Sequence, residues 1–303
     1  MDHISLLEDG SDHLTYFNVA LGFSFICFDA ILSLTLGLGV GTSLVVSAIR
    51  CVLQLSVMSL ILDKVFAANN FWGVVGISLV LNILGAFEAV YNKSKRRFAN
   101  MFPLILLSFI VATIPISLAG SAVMRRHPVW KPEKYIPVLG MILGNAVTAI
   151  GVGVSSILKE FTENKDKIET YLGMGATRFE ACKPIAREAL KLALLPTINQ
   201  MSVIGLISIP GLMTGAIIGG SSVEQAAKLQ MILMFMISAS SALSVLAAMI
   251  FTFSVVFDPQ HRIRDDRIYS SESVLSGGIR SVGKIGVLGW KSIKNLGGKE
   301  RRP

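Results

Sequence analysis

The chain predicts an all-α transmembrane helical bundle of about seven spans with a short helix on the cytosolic side, and three observations carry that prediction. Apolar residues make up 52% of its 303 residues and charged residues only 16%. The charges gather in clusters, which leaves windows of about twenty residues nearly free of them. The apolar runs are also too long and too even for the alternating strands of a membrane barrel, so the backbone satisfies itself as helices.

Apolar windows between breakers place the spans at about 17–38, 44–66, 71–91, 101–122, 136–158, 192–213 and 229–257. Residues 1–15 form an acidic N-terminal segment with Asp2, Glu8, Asp9 and Asp12 where a cleavable leader would be basic. The first span is therefore expected to remain in the chain. Residues 16–258 constitute one membrane domain. Residues 259–303 are a basic tail rich in Ser, Gly, Lys and Arg, expected to be mobile and cytosolic because its apolar residues are too sparse for a core.

Basic residues orient the spans. Lys93, Lys95, Arg96 and Arg97 follow the third, Lys159 to Lys191 follow the fifth, and Arg262, Arg264 and Arg267 follow the seventh, which puts these ends on the cytosolic side. Arg125, Arg126, Lys131 and Lys134 on the other side weaken this bias without reversing it. The formal charge of +8 thus tracks span ends and anionic headgroups, and nucleic acid is excluded as a partner. Cys27, Cys51 and Cys182 show no zinc or disulfide spacing. The four histidines stand singly in termini and loops, and no nucleophile, base and acid form a set, so an enzyme acting alone is disfavoured and no cofactor is expected.

Several polar groups stand inside the spans. Arg50 and Gln54 are one helical turn apart, and Asp29 lies in the first span. Arg50 either anchors its helix at the headgroups or lines a pathway. Glu88 is similarly open, since it also offsets the basic cluster after it. In the fifth span Gly140 and Gly144 are spaced for close helix packing, while Asn145 and Thr148 serve either interhelical hydrogen bonds or a substrate. In the sixth, Asn199, Gln200 and Met201 precede a break at Pro210 and Gly211, with Met213 beyond it. A break at membrane depth is tolerated against protein or beside a wet cavity, so this segment reads either as a substrate-facing wall with thioether ligands or as a packing kink filled by methionine.

Two glycine motifs are decoys. Residues 278–284 resemble a phosphate-binding loop, but Ile285 stands where a magnesium-holding hydroxyl belongs. Gly37, Gly39 and Gly41 lie at a span end and mark a turn.

Between the fifth and sixth spans, residues 169–187 form a charged, helix-favouring island suited to stand out of the lipid. Its order of Glu169, Leu172, Gly173, Gly175, Ala176, Thr177 and Ile185 resembles the coupling-loop signature of ABC transporter permeases. With Arg50 to Leu55, Gly140 to Asn145, and Leu195 to Gly215, the chain resembles the permease family that includes bacterial iron-export permeases and plant aluminium-sensitivity proteins. That resemblance implies a seven-span permease without an ATPase domain of its own, pairing with a separate soluble ABC ATP-binding subunit, and the chain is expected to form a homodimer.

A helix starting near Ile168 with Glu169 in its first turn would serve as the lever, and the alternative is a solvated linker. Gly175→Arg is expected to leave folding intact while uncoupling hydrolysis from transport. The leading expectation is thus the membrane subunit of an ATP-driven transporter of a metal ion or small solute. The runner-up is a secondary transporter or channel coupled to protons through Asp29 and Glu88.

Overall fold

Apolar windows of this length must close their own hydrogen bonds in lipid, and they do so as helices. The computed structural model describes residues 15–94, 96–98, 100–125 and 128–256, with backbone alone at 178–179 and 268–270. The acidic N-terminal segment to residue 14, the loop-like glycines of 278–284, and the tail other than 268–270 lie outside the described residues. Those described fall into two compact units, one reaching to Lys64 and the other running from Val65.

The first unit holds α1 (Tyr16–Thr35) and α2 (Gly41–Ala68) up to Lys64. α1 ends in a Schellman turn: Leu38 N–H donates to Ser33 O at 2.9 Å and Gly37 N–H to Leu34 O at 3.3 Å. Gly37 and Gly39 hold φ of +65° and +70°, which a side chain would strain. At Gly41 a Cβ would meet Ala30 O at 2.8 Å, so the hairpin closes backbone to backbone. These three glycines build a turn, as their position at a span end predicts.

The second unit contains α3 (Phe71–Phe87), a π-helical turn (Glu88–Lys93), β1 (Arg96–Phe98), α4 (Met101–Val123), α5 (Pro132–Glu163), α6 (Lys165–Gly173), α7 (Arg178–Val203), α8 (Gly211–Ile218), α9 (Val223–Val256) and β2 (Ile268–Ser270). α5 is its axis, packed by α3, α4, α7 and α9. At Gly153 a Cβ would lie 3.0 Å from Val245 of α9 and 3.3 Å from Ala193 of α7, so the glycine sets how closely three helices converge. Phe161 and Phe253 meet edge to face at 5.8 Å below that crossing. Between α3 and α4, the buried Thr113 hydroxyl donates to Asn82 Oδ1 at 3.1 Å, and Asn82 Nδ2 returns to Ser78 O at 2.8 Å.

Three expectations are modified. Six helices among the described residues are long and apolar enough to cross a membrane. The expected sixth window, 192–213, is not one helix: α7 begins in the charged island, carries Arg187, Glu188 and Lys191 into it, and stops at Val203 before a break that ends at Pro210. Close packing is set by Gly85, Gly120, Gly151 and Gly153, where a Cβ would touch Leu143, Met236, Lys93 and Val245, whereas Gly140 and Gly144 have open space. Four-residue spacing identifies a smooth helix face without saying whether a neighbour occupies it. Within the expected tail, β2 pairs antiparallel with β1, Arg97 opposite Tyr269.

Gly153→Val is expected to force α7 or α9 away and destabilise the unit by about 1–3 kcal/mol, read as a lower thermal midpoint in detergent. An unchanged midpoint would remove the three-helix crossing as the organising contact.

Candidate functional site

A cleft of about 390 Å³ opens where α7 breaks, lined by Gly140, Met141, Gly144 and Asn145 of α5, Gln200 and Ile204 at the end of α7, Ser208, Pro210, Gly211 and Leu212, and Gln230, Met234 and Ile237 of α9. Pro210 forces the chain into extended backbone before α8, and the intervening Gly205 holds φ of +87°. The two glycines of α5 leave room because nothing lies within 4 Å of where their Cβ atoms would be.

Gln230 is the polar centre of the cleft. It is only 6% exposed, yet its Oε1 has no hydrogen-bond partner among the described residues. A buried amide oxygen without a partner is costly, which makes it a prepared acceptor for whatever enters. Opposite, Asn145 donates Nδ2 to Met141 O at 2.9 Å, which orients its amide at the wall.

The expected pathway residues separate. Asn145, Gln200 and Pro210 come together in this cleft, whereas Asn199 and Met213 do not line it. Met201 packs against the cluster around Leu233 and Ile237 and acts as apolar filler. Thr148, paired with Asn145 in the sequence, lines a different groove with Lys93 and Lys159. Three residues along a helix advance about 300°, a turn large enough to carry a side chain onto an adjoining helical face. Arg50, half-buried, and Gln54, exposed, lie on α2 in the first unit. Asp29 is exposed on α1, and Glu88 accepts from Asn92 Nδ2 at 2.6 Å. Gln230 and Met234 escaped the sequence reading, although a lone amide inside an apolar run is itself a signal.

At the opposite end of the unit, the island is two helices joined at a tight corner. α6 starts at Lys165, so Asp166 rather than Glu169 occupies its first turn, and Glu169 instead faces Lys165 at 3.7 Å. Its inner face is fastened by buried Ile168 and by Leu172, which packs on the main core. A Schellman turn ends it, with Ala176 N–H donating to Tyr171 O at 3.1 Å and Gly175 N–H to Leu172 O at 3.0 Å. Gly175 holds φ of +92°. Substitution there strains the backbone, so the expectation that Gly175→Arg leaves folding intact does not hold locally.

Thr177 then starts α7 with a reciprocal cap: its N–H donates to Glu180 Oε2 at 2.9 Å, and its hydroxyl accepts from Glu180 N–H at 3.4 Å. Glu180 is held below the usual carboxylate range by the Thr177 backbone N–H first, then by the Thr177 hydroxyl, with a smaller pull from Lys183. Cys182 beside it is pushed up to about 12 by burial, which makes it an inert apolar contact. Facing outward from the corner are Glu169, Gly173, and the large apolar Tyr171 and Met174, the last 79% exposed.

A family profile described as "Uncharacterised protein family (UPF0014)" matches residues 16–257. The UPF0014 membrane protein slr1647 of Synechocystis is 34% identical over 70% of this chain and 82% of its own length. The probable iron export permease protein FetB of Escherichia coli is 27% identical, covering 71% of this chain and 81% of that one. Protein ALUMINUM SENSITIVE 3 of Arabidopsis thaliana is 28% identical, covering 80% and 87%. No solved structure matches.

The cap of α7 carries a pH dependence. Because Glu180 titrates lower folded than unfolded, its contribution is complete above the unfolded value and is lost as pH falls through the folded one. Amide protection factors in the first turn of α7, each taken against the intrinsic exchange rate at the same pH, should therefore fall on acidification in the native chain and stay level over the same range in Glu180→Gln; equal profiles would refute the cap.

Proposed function

This chain belongs to the UPF0014 family of multi-pass membrane proteins, and on that premise we propose that it is the permease subunit of an ATP-driven transporter, energised by a separate soluble ATP-binding subunit. The observation that carries this reading is the continuity of α7. One helix runs from the Thr177 cap to Val203, and Gln200 near its end lines the cleft. Those twenty-three steps span about 35 Å and run on through Pro184 and Pro196 without a break, so a displacement at the corner is delivered to the cleft by one continuous element.

The corner has what a docking peg needs. Ile168 and Leu172 fix its inner face to the core, and Tyr171 and Met174 project apolar surface among Asp166, Lys167 and Glu169. Exposed apolar residues rimmed by charge mark a protein contact. ATP-binding subunits working as a closing pair require two such pegs related by a two-fold axis, hence a homodimer of this chain. The basic end then faces the cytosol, in line with the lysines and arginines gathered there.

The cargo is a metal ion or a small solute. Amide groups and the thioethers of Met141 and Met234 face the cleft, and among the described residues no three His, Cys, Asp or Glu side chains gather to hold a metal ion. Such a lining suits a soft cation or a neutral solute better than a bare, highly charged ion, which calls for carboxylates. The export of iron in the name of the Escherichia coli relative makes a metal the first cargo to test.

Met174→Glu should leave the chain inserted and lower ATP-driven flux at least about tenfold in proteoliposomes containing the ATP-binding subunit, since one hot-spot contact carries about 2 kcal/mol or more. Undiminished flux, or flux that follows a proton gradient without ATP, would defeat the reading. Gln230→Leu should raise thermal stability by about 1 kcal/mol by removing an unpaired amide while reducing flux, and a variant with both unchanged would show that the cleft is not on the path.

A further inference from the structure

A second groove, of about 560 Å³, runs along the face of α5 from Glu163 to Thr148, through Lys159, Ser155, Val152 and Gly151, with Lys93 and Arg96 at its basic end. Residues 148, 151, 152, 155 and 159 fall at helical spacing on one side, so the groove is a single strip of α5 walled by the π-helical turn and β1. The lever and the cleft of the proposed transport machinery do not use it. Thr148, a candidate pathway residue by its sequence position, has its hydroxyl already satisfied by Gly144 O at 3.2 Å.

The charges are concentrated at one end. Arg96 Nη1 donates to Leu158 O and Lys159 O at 3.3 Å each, which fixes its guanidinium at the rim. Lys93 is held against Gly151, where a Cβ would lie 2.9 Å from its own Cβ, and among the described residues no carboxylate pairs with its ammonium. Lys159 faces Glu163 at 3.7 Å, with both side chains half exposed or more, so the pair is weak. Among the described residues that line it, three cations stand with one carboxylate. Just inside, the buried Ser155 Oγ has no hydrogen-bond partner among the described residues. Deeper, from Val152 to Thr148, α5 itself contributes no charge, and the Lys93 side chain starts beside Gly151.

The length matches one layer of a bilayer. From Lys159 to Thr148 is eleven residues, or about 16 Å, close to half of the roughly 30 Å hydrocarbon core. A mouth that wants an anion and a neutral strip one leaflet long describe one amphipathic molecule. We propose that this groove binds an anionic phospholipid, with its phosphate between Lys93, Arg96 and Lys159, its glycerol oxygens at Ser155, and an acyl chain along Val152.

The test titrates phosphatidylglycerol into the purified full-length chain in neutral detergent and counts bound lipid by native mass spectrometry. Lys93→Gln with Lys159→Gln should weaken binding roughly 25-fold, at about fivefold for each cation removed. Lys167→Gln with Lys183→Gln removes the same charge outside the groove and should change binding by less than about twofold. Val152→Trp, at an exposed position, should weaken phosphatidylglycerol by blocking the strip without affecting soluble glycerol phosphate. Equal losses in the two lysine pairs, or none in the first, would overturn the proposal. Displacement of the lipid by glycerol phosphate at matching concentration would overturn it as well, by showing a site for a soluble phosphate. Flux is not read, so failure here leaves the permease reading standing.

Discussion

The convergence of α5, α7 and α9 at Gly153 is the constraint on which the second unit depends. In lipid there is no hydrophobic drive between helices, and association rests on close backbone approach and van der Waals contact. The absent side chain lets Val245 and Ala193 reach the axis of α5. From that crossing α5 is buried over most of its length, and what it presents on its remaining faces lines the cleft and the groove.

Those openings differ because the faces differ. Toward the α7 break, Gly140 and Gly144 leave space and Gln230 looks across from α9, so the cavity is neutral and lined by amides and thioethers. Toward the π-helical turn, lysine and arginine dominate a strip that is otherwise uncharged. A helix that serves as core on one side and as wall on two others explains why its glycines divide into tightly packed and open ones.

The basic residues at the same end are likewise divided by use. Arg97 is buried, donates to Val90 O and Tyr91 O at 3.1 Å, and stacks 4.7 Å over the Tyr91 ring, so it satisfies carbonyls that the π-helical turn leaves free. Arg96 ties β1 to the end of α5. Lys93 and Lys159 keep their charge at the surface of the groove. A count of positive residues at a span end records orientation, but it merges structural ties with groups left available to a ligand.

What the sequence by itself determined is the class and the punctuation: long charge-free windows can exist in lipid only as helices, Gly37 and Gly39 mark a turn, Pro210 and Gly211 stand at an interruption between helices, and the island after the fifth window is helix-forming. Each follows from local chemistry, because hydrogen-bond satisfaction and allowed φ are decided within a few residues. Only the tertiary structure decided that the island and the sixth window share one helix, that Gln230 belongs beside Asn145 while Thr148 does not, and that Gly153 rather than Gly140 sets the packing. Those facts depend on which neighbour occupies each helix face, and helical spacing is the same whether a face meets another helix, a cavity or lipid.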